Sequence, residues 1–250
     1  MLSEATAARV LTYVKEENAR AQADVLSGAA PFDSRFGGVN CRGMLGIFGQ
    51  RQDLFLPMSS PIVREAVTEI IHKMKPMLDE LVGEDAMLHE ISSLVAGNGS
   101  PRQCIHADTI VLPCPQYPDV QMEPLYTFFV ALQDVEENMG HTQFLPYTHT
   151  PAAHELWNVA GRSDSLKERF ISAQPAVHSR LLTGDVAAFD SRVLHCGCAN
   201  ESGKVRVLLY ITVSRAQRWP LPEGLHGSNS LRAEDRWKWQ LPALLDPQPC

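Results

Sequence analysis

The stretch from about Leu88 to Ser214 constrains the fold most, because short β-prone runs alternate there with Gly, Pro and Asn. Many short strands separated by turn residues predict a sandwich or a barrel. We expect strands in HEISSLVAG, QCIHADTIVL, YTFFVALQDV, TQFLPYTHT, VAAFDSRVL and VRVLLYITVSR. A helical interruption is expected at AAHELWNVA and SLKERFISA. The predicted fold class is therefore mainly β.

The residues before this stretch have helical spacing instead. Apolar and charged residues alternate over the first thirty positions, and Gly28 followed by Pro31 should end that helix. A second helix has a clear start, because Ser60 can act as its N-cap and Pro61 suits its first turn. Its apolar residues form one stripe, which predicts packing on a sheet. Pro76 is expected to kink or divide this helix.

Charge and composition exclude several classes of partner. The chain has 22 Lys and Arg against 29 Asp and Glu, a net charge of -7, so no basic surface for nucleic acid or anionic membranes is expected. No apolar run approaches the roughly 20 residues of a spanning helix, and the start lacks a signal-peptide layout. The 6 cysteines are too scattered for a disulfide framework. We expect an intracellular, cytoplasmic protein without nucleic-acid or membrane partners.

Two histidines and one aspartate carry the pattern that says most about function. His106 and Asp108 stand two residues apart in QCIHADTIVL, so in a strand they would share one face and could grip one ion. His195 follows a later β-prone run. Two imidazoles and one carboxylate hold non-haem Fe(II) and leave positions open for substrate chemistry. The same ligands suit catalytic Zn²⁺, so spacing alone does not separate the two metals. An isolated HxD can also be only the polar face of a strand.

Arg206 is a cation inside the otherwise apolar run VRVLLYITV. Alternation places it on the same face as Leu208, Tyr210 and Thr212. A buried arginine is costly unless an anion meets it, and its guanidinium fork matches a carboxylate. The alternative is a surface ion pair on an edge strand. The sequence therefore predicts a pocket that could bind the far carboxylate of a dicarboxylate cosubstrate.

These motifs resemble the phytanoyl-CoA dioxygenase family of Fe(II)- and 2-oxoglutarate-dependent oxygenases. The resemblance runs from about Glu90 to Ser214 through HADT, FVALQDVEENMGHTQFLPYTHT, LLTGDVAAFDSRVLHCGCANES and VRVLLYITVS, in that order. It implies a double-stranded β-helix, a cupin-like jelly roll with helices outside one sheet. It also implies that the strands carrying His195 and Arg206 lie in opposing sheets, with both side chains facing the cavity.

The resemblance divides the chain and assigns its site. We expect one dioxygenase domain over 1–250, with a mainly helical part at 1–87, a jelly-roll core at 88–214 and a C-terminal strap at 215–250. The implied iron ligands are His106, Asp108 and His195. Arg206 is implied as the partner of the 2-oxoglutarate C5 carboxylate. Three further positions resemble cosubstrate contacts: Gln103, Thr127 and Phe129.

The chain also departs from the family pattern. Phe129 stands where some relatives have Trp, and Gly197 stands where some have Ser, so a side-chain hydrogen bond of those relatives is absent. His141 lies in MGHTQ, where MGPTQ is more usual, and is interpreted as a turn residue. Cys196 and Cys198 are separated by one residue, which favours free thiols beside the site over a redox pair.

The predicted activity is hydroxylation of a small-molecule or acyl substrate with O2, releasing succinate and CO2, with ascorbate as an additional reductant. Asp108 argues against a halogenase, because halogenating relatives have Gly or Ala at that position. Two alternatives stay open: a Zn-dependent cupin-like enzyme that uses the same three ligands without a cosubstrate, and a catalytically inactive jelly-roll binding module. The pocket arginine weighs against the first, and the intact ligand set against the second.

Overall fold

The computed structural model describes residues 1–38, 50–114, 117–120, 123–161, 163–215 and 238–245, and its strands form two antiparallel sheets. The strands are β1 (Phe36–Gly37), β2 (Arg51–Phe55), β3 (Met87–Ala96), β4 (Tyr126–Ala131), β5 (Thr142–Phe144), β6 (Val177–Ser179), β7 (Val186–Asp190), β8 (His195–Gly197) and β9 (Arg206–Ser214). The larger sheet has the order β1-β2-β3-β9-β4-β7 and the smaller one the order β6-β5-β8.

The helices before residue 83 and the one at 241–245 pack on one face of the larger sheet, whereas the two between β5 and β6 pack against each other. They are α1 (Glu4–Ser27), α2 (Pro61–Val82), α3 (Pro151–Ala160), α4 (Asp164–Ser172) and α5 (Leu241–Leu245). The apolar stripe of α2 joins the odd-numbered residues of β9, Val207 to Val213, in one buried core. Gly28 ends α1 with a φ of 76°, a conformation that glycine adopts without strain. The mainly β fold with flanking helices, a jelly roll, is therefore confirmed.

The face of β9 opposite the helices turns toward the interior. Arg206, Leu208, Tyr210 and Thr212 share this face, as alternation predicts. Leu208 and Tyr210 pack there with Phe129 in a second buried cluster. Because β8 lies in the smaller sheet and β9 in the larger one, the expectation that their strands belong to opposing sheets is confirmed.

Three local predictions need correction or completion. The segment QCIHADTIVL is not a strand: its only ladder contact within the described residues is a single bridge from His106 to His195. Pro101 lies two residues before the segment and Pro113 follows it directly, and proline cannot donate a ladder hydrogen bond. Helix α2 is continuous through Pro76 and is not divided. The part at 1–87 also contributes β1 and β2 to the larger sheet.

The strap predicted over 215–250 lies outside the described residues except for 215 and 238–245. There Gln240 pairs with Met87 at the start of β3, and the Leu241 amide donates to the Ala86 carbonyl at 2.8 Å. Leu241 and Leu244 of α5 enter the core beside α2. Within the described ranges, the helices are too short or too polar to cross a membrane.

Candidate metal and cosubstrate site

The structure brings the three predicted iron ligands together. His106 Nε2 lies 3.6 Å from Asp108 Oδ1, and His195 Nε2 lies 3.5 Å from the same oxygen. All three ligand atoms fall within 4.8 Å of one another. Ligands about 2.1 Å from one ion are separated by roughly 3.0–3.4 Å when they occupy adjacent positions. The spacing therefore suits one metal ion.

Backbone contacts determine how these residues meet. The His106 amide donates to the His195 carbonyl at 3.0 Å, and the His195 amide returns a bond of 2.8 Å to the His106 carbonyl. The Asp108 amide donates to the Ser191 carbonyl at 2.9 Å. A loop that is bridged to β8 at His106 thus brings His106 and Asp108 to His195. A full strand was predicted to do this.

Both imidazoles are oriented for metal binding through Nε2. His106 Nδ1 lies 2.8 Å from the Cys104 carbonyl, and His195 Nδ1 lies 2.9 Å from the Val193 carbonyl. A carbonyl only accepts, so each Nδ1 carries the hydrogen and each Nε2 presents a lone pair. Burial, followed by the neighbouring His195, lowers the pKa of His106, which keeps that ring neutral.

Aromatic rings enclose the His195 side of the site. The centroids of Phe189, Phe144 and Phe129 lie 5.0, 5.7 and 6.3 Å from the His195 ring. Apolar walls of this kind limit solvent access and strengthen electrostatic interactions with a bound ion. Phe129, one of the predicted cosubstrate contacts, belongs to this wall.

Arg206 lies fully inside the molecule, only 2% exposed, and faces the same cavity as the three ligands. Its Nη1 donates to the Gly140 carbonyl at 2.7 Å, whereas its buried Nε has no hydrogen-bond partner. Burial, with Arg51 beside it, lowers the pKa of Arg206 to about 9, so the group remains cationic at neutral pH. A buried guanidinium with an unused N–H is suited to an incoming carboxylate.

A second guanidinium, Arg51 of β2, stands near Arg206. Ala96 of β3 pairs with both residues, so the two arginines flank one small side chain in the larger sheet. Arg51 Nε donates to the Pro101 carbonyl at 3.0 Å, and its Nη2 donates to the Cys198 carbonyl. Arg51 was not among the predicted site residues, because the segment RQDLF has no feature that identifies it as a strand of this sheet. Arg51 therefore adds a second positive charge beside Arg206 that was not predicted.

Gly197 has a steric reason to lack a side chain. A Cβ there would lie 2.6 Å from Gln103 Oε1 and 2.8 Å from Arg51 Nη1. Gln103 Oε1 instead accepts a hydrogen bond of 2.8 Å from the Gly197 amide. Gln103 thus occupies the space that Ser would need, and it lines the cavity.

The remaining predicted contact, Thr127, lies deeper in the larger sheet. Its hydroxyl is 2.8 Å from Ser191 Oγ and 2.9 Å from Thr212 Oγ1. It is not among the residues that line the cavity, whose predicted members are His106, Asp108, His195, Arg206, Gln103 and Phe129. The cosubstrate roles of Gln103, Thr127 and Phe129 stay predictions.

Two buried carboxyl groups that the sequence analysis missed also line the cavity, Asp53 and Glu90. Asp53 accepts hydrogen bonds from the Ser92 hydroxyl and from the Tyr210 hydroxyl, the latter at 3.2 Å. Glu90 accepts one of 2.8 Å from the Thr212 hydroxyl. Burial raises the pKa of Asp53 to about 6.

The raised pKa of Asp53 predicts a pH dependence of stability. A carboxyl whose pKa rises from 3.8 to about 6 on folding binds its proton more tightly when folded, so stability falls as pH rises between those values, by about 3 kcal/mol in all. Denaturant unfolding of the metal-free protein should show this fall. Asp53→Asn should lack it and be the more stable protein at pH 7.5. Parallel profiles for the two proteins would contradict the assignment.

The chain is similar to known proteins in sequence and in structure. The profile of the phytanoyl-CoA dioxygenase (PhyH) family matches residues 51–208. A search of curated proteins gave no match. AviO1 from Streptomyces viridochromogenes is 15% identical, with a TM-score of 0.57 over 88% of this chain and 89% of that chain.

Two further solved structures share the fold. The non-haem alpha-ketoglutarate-dependent carbocyclase SnoK from nogalamycin biosynthesis is 20% identical, with a TM-score of 0.53 over 87% of this chain and 84% of that chain. HygX from Streptomyces hygroscopicus, solved with nickel and 2-oxoglutarate bound, is 16% identical, with a TM-score of 0.53 over 86% and 90% of the two chains.

Proposed function

The chain belongs to the phytanoyl-CoA dioxygenase family of Fe(II)- and 2-oxoglutarate-dependent oxygenases, and on that premise we propose that it hydroxylates a small-molecule or acyl substrate. The observation that carries the proposal is the pairing of two features in one cavity. His106, Asp108 and His195 offer three metal ligands, and Arg206 offers a buried guanidinium with an unused N–H.

The residues present fit both groups. Neutral imidazoles with free Nε2 atoms and one carboxylate are the ligands that Fe(II) takes in this class of enzyme. When bound, Fe(II) and 2-oxoglutarate supply the oxidation: O2 is consumed, the oxo acid is converted to succinate and CO2, and one oxygen atom enters the substrate. His106, Asp108 and His195 hold the metal, and Arg206 holds the C5 carboxylate of the cosubstrate.

The other cavity residues orient the reactants and exclude water. Arg51 adds positive charge beside Arg206 and so strengthens attraction for a dicarboxylate. The rings of Phe129, Phe144 and Phe189 keep solvent away from His195. Gln103 is held against the Gly197 amide.

The carboxyl groups of Asp53 and Glu90 indicate which class of substrate the cavity favours. Both lie in the larger sheet and face the cavity. Carboxyl oxygens accept hydrogen bonds from hydroxyl and amino groups, so they favour a substrate with polar donors over a plain hydrocarbon chain. Structures of the same fold include an epimerase, SnoN, and a carbocyclase, SnoK. Asp108 retains the carboxylate that halogenating relatives lack, so hydroxylation is proposed in preference to halogenation.

Arg206 and the intact ligand set also weigh against the alternatives. A Zn-dependent enzyme without a cosubstrate has no use for a buried guanidinium beside its metal, and that guanidinium is costly to bury. An inactive binding module has no need of three convergent ligand side chains, two of which are imidazoles oriented by backbone carbonyls.

The decisive experiment is anaerobic titration with Fe(II) and 2-oxoglutarate. We expect the weak visible metal-to-ligand charge-transfer absorption of a chelated oxo acid, because three protein ligands leave adjacent positions free. Zn²⁺ in place of Fe(II) should give no such band. Exposure to O2 should then produce succinate. A protein that binds Zn²⁺ tightly but gives no band with Fe(II) and 2-oxoglutarate would refute the proposal.

A further inference from the structure

A second cluster of potential metal ligands lies on the face of the smaller sheet that points away from the cavity. Thr142 of β5 pairs with Gly197 of β8, and both line the cavity. The next residues, His141 and Cys198, pair through a hydrogen bond of 2.8 Å from the Cys198 amide to the His141 carbonyl. Because neighbouring residues alternate between faces, His141 and Cys198 project to the opposite side. His178 of the adjacent strand β6 joins them there.

The three side chains converge on one point. The imidazole nitrogens of His141 and His178 and the sulfur of Cys198 lie within 4.8 Å of one another. His141 is buried, Cys198 is half-buried and His178 is exposed, so the cluster is open to solvent on one side. Its members are 37 and 20 residues apart along the chain, and only strand pairing brings them together.

The protonation of His141 prepares it as a ligand. Its Nδ1 lies 2.7 Å from the Glu137 carbonyl, which only accepts, so Nδ1 carries the hydrogen. Its Nε2 therefore presents a lone pair, 2.7 Å from His178 Nδ1. Ligating histidines generally donate their other N–H to such a carbonyl. In the absence of a metal, the hydrogen between the two rings belongs to His178 Nδ1.

Cys198 supplies a free thiol in a cationic setting. Burial raises the pKa of the Cys198 thiol, while Arg102, Arg51 and Arg206 act in the opposite direction. A coordinating thiol is deprotonated by the metal itself, so burial does not prevent its use as a ligand.

We propose that His141, His178 and Cys198 form a second metal site, distinct from the iron site, for a borderline-soft divalent ion, Zn²⁺ above all. Two imidazoles and a thiolate supply three of the four ligands of a tetrahedral zinc site, and water can supply the fourth. On binding, the Cys198 thiol releases its proton to solvent, and the hydrogen on His178 moves from Nδ1 to Nε2. Bonds then form from the ion to the Cys198 sulfur and to the two nitrogens.

The ligand sets separate the two sites chemically. The iron site has two imidazoles and a carboxylate, whereas the second site has a thiolate, which favours zinc. An ion there would also connect β5, β6 and β8, and β8 carries His195. The second site therefore has a structural effect on the strand that holds an iron ligand, without facing the cavity.

Cobalt(II) titration of the metal-free protein tests the proposal, because thiolate-to-cobalt charge transfer gives intense near-ultraviolet absorption that nitrogen and oxygen ligands do not. We expect two bound ions per chain and this absorption in the wild type. His106→Ala should retain the absorption and lose one ion. Cys198→Ser should lose the absorption and retain the ion at the iron site. Cys114→Ser, which removes a half-buried thiol outside the cluster, should behave as the wild type.

His178→Gln provides an independent variant, because His178 is exposed and its loss should leave the fold intact by circular dichroism. It should raise the cobalt dissociation constant of the thiolate site by more than about 100-fold, since loss of a mere outer-shell partner already costs roughly 10–100-fold. In a His106→Ala background, Zn²⁺ should raise the unfolding temperature, and adding Cys198→Ser should remove that rise. Absence of the absorption in the wild type, or its persistence in Cys198→Ser, would overturn the proposal.

Discussion

Replacing His195 with alanine is expected to abolish both the charge-transfer absorption with 2-oxoglutarate and the formation of succinate. His195 Nε2 lies 3.5 Å from Asp108 Oδ1, and its ring is held by the Val193 carbonyl. Loss of one of three ligands should weaken Fe(II) binding by more than about 100-fold, beyond the roughly 10–100-fold that follows loss of an outer-shell partner. Anaerobic Fe(II) titration measures the affinity, and oxygen exposure measures turnover.

Controls distinguish loss of a ligand from loss of the fold. His195 packs against Phe189, so His195→Gln, which preserves more of the volume, should show the same chemical defect with an unchanged circular dichroism spectrum. His106→Ala should behave like His195→Ala. His72→Ala removes an exposed histidine of α2 and should leave iron binding intact. Normal succinate formation by His195→Gln would show that His195 is not a ligand.

Arg206→Ala should raise the dissociation constant of 2-oxoglutarate strongly while iron binding changes little. The guanidinium is 2% exposed and its Nε has no partner, so a carboxylate that reaches it forms a charge-assisted bidentate contact away from water. Losing such a contact costs roughly 2–4 kcal/mol, which corresponds to about thirty- to nearly thousand-fold in affinity. The charge-transfer absorption, titrated with 2-oxoglutarate at saturating Fe(II), gives the constant directly.

Two matched variants sharpen this test. Arg206→Lys keeps the positive charge but loses the planar guanidinium that can bind a carboxylate through two hydrogen bonds. It should therefore recover only part of the affinity for 2-oxoglutarate. Arg9→Ala removes an exposed arginine that pairs with Glu65 on the helical side, and it should leave 2-oxoglutarate binding unchanged. An unaltered dissociation constant in Arg206→Ala would place the cosubstrate elsewhere and remove the main support for the proposed function.

Local patterns in the sequence predicted a large part of this architecture. Alternation in VRVLLYITV placed Arg206 on the interior face and Val207 on the helix side, and the structure has both there. Gly28 and Ser60 marked a helix end and a helix start correctly. These signals are local, because the period of a strand or helix determines which face each residue takes.

The side chains of the HADT segment converge with His195 as predicted, but the local structure of the segment differs from the predicted strand. His106 and Asp108 were expected to share a strand face, yet the structure has a loop with one bridge to His195. The three side chains still converge, because paired backbone hydrogen bonds join His106 to His195. Spacing together with the family resemblance predicted the chemistry of the site, whereas contact with β8 determined its geometry.

Residue type and short-range period predicted the mainly β fold and the interior arginine, whereas the family resemblance implied the three ligand residues. Strand pairing in the folded chain selects the distant residues that join them. Pairing of β2 with β3 brings Asp53 into the cavity and Arg51 close to Arg206, and pairing of β5 with β6 and β8 brings His141 to Cys198. The physical reason is that strand register selects neighbours across the sheet, and no local spacing in the chain encodes that choice.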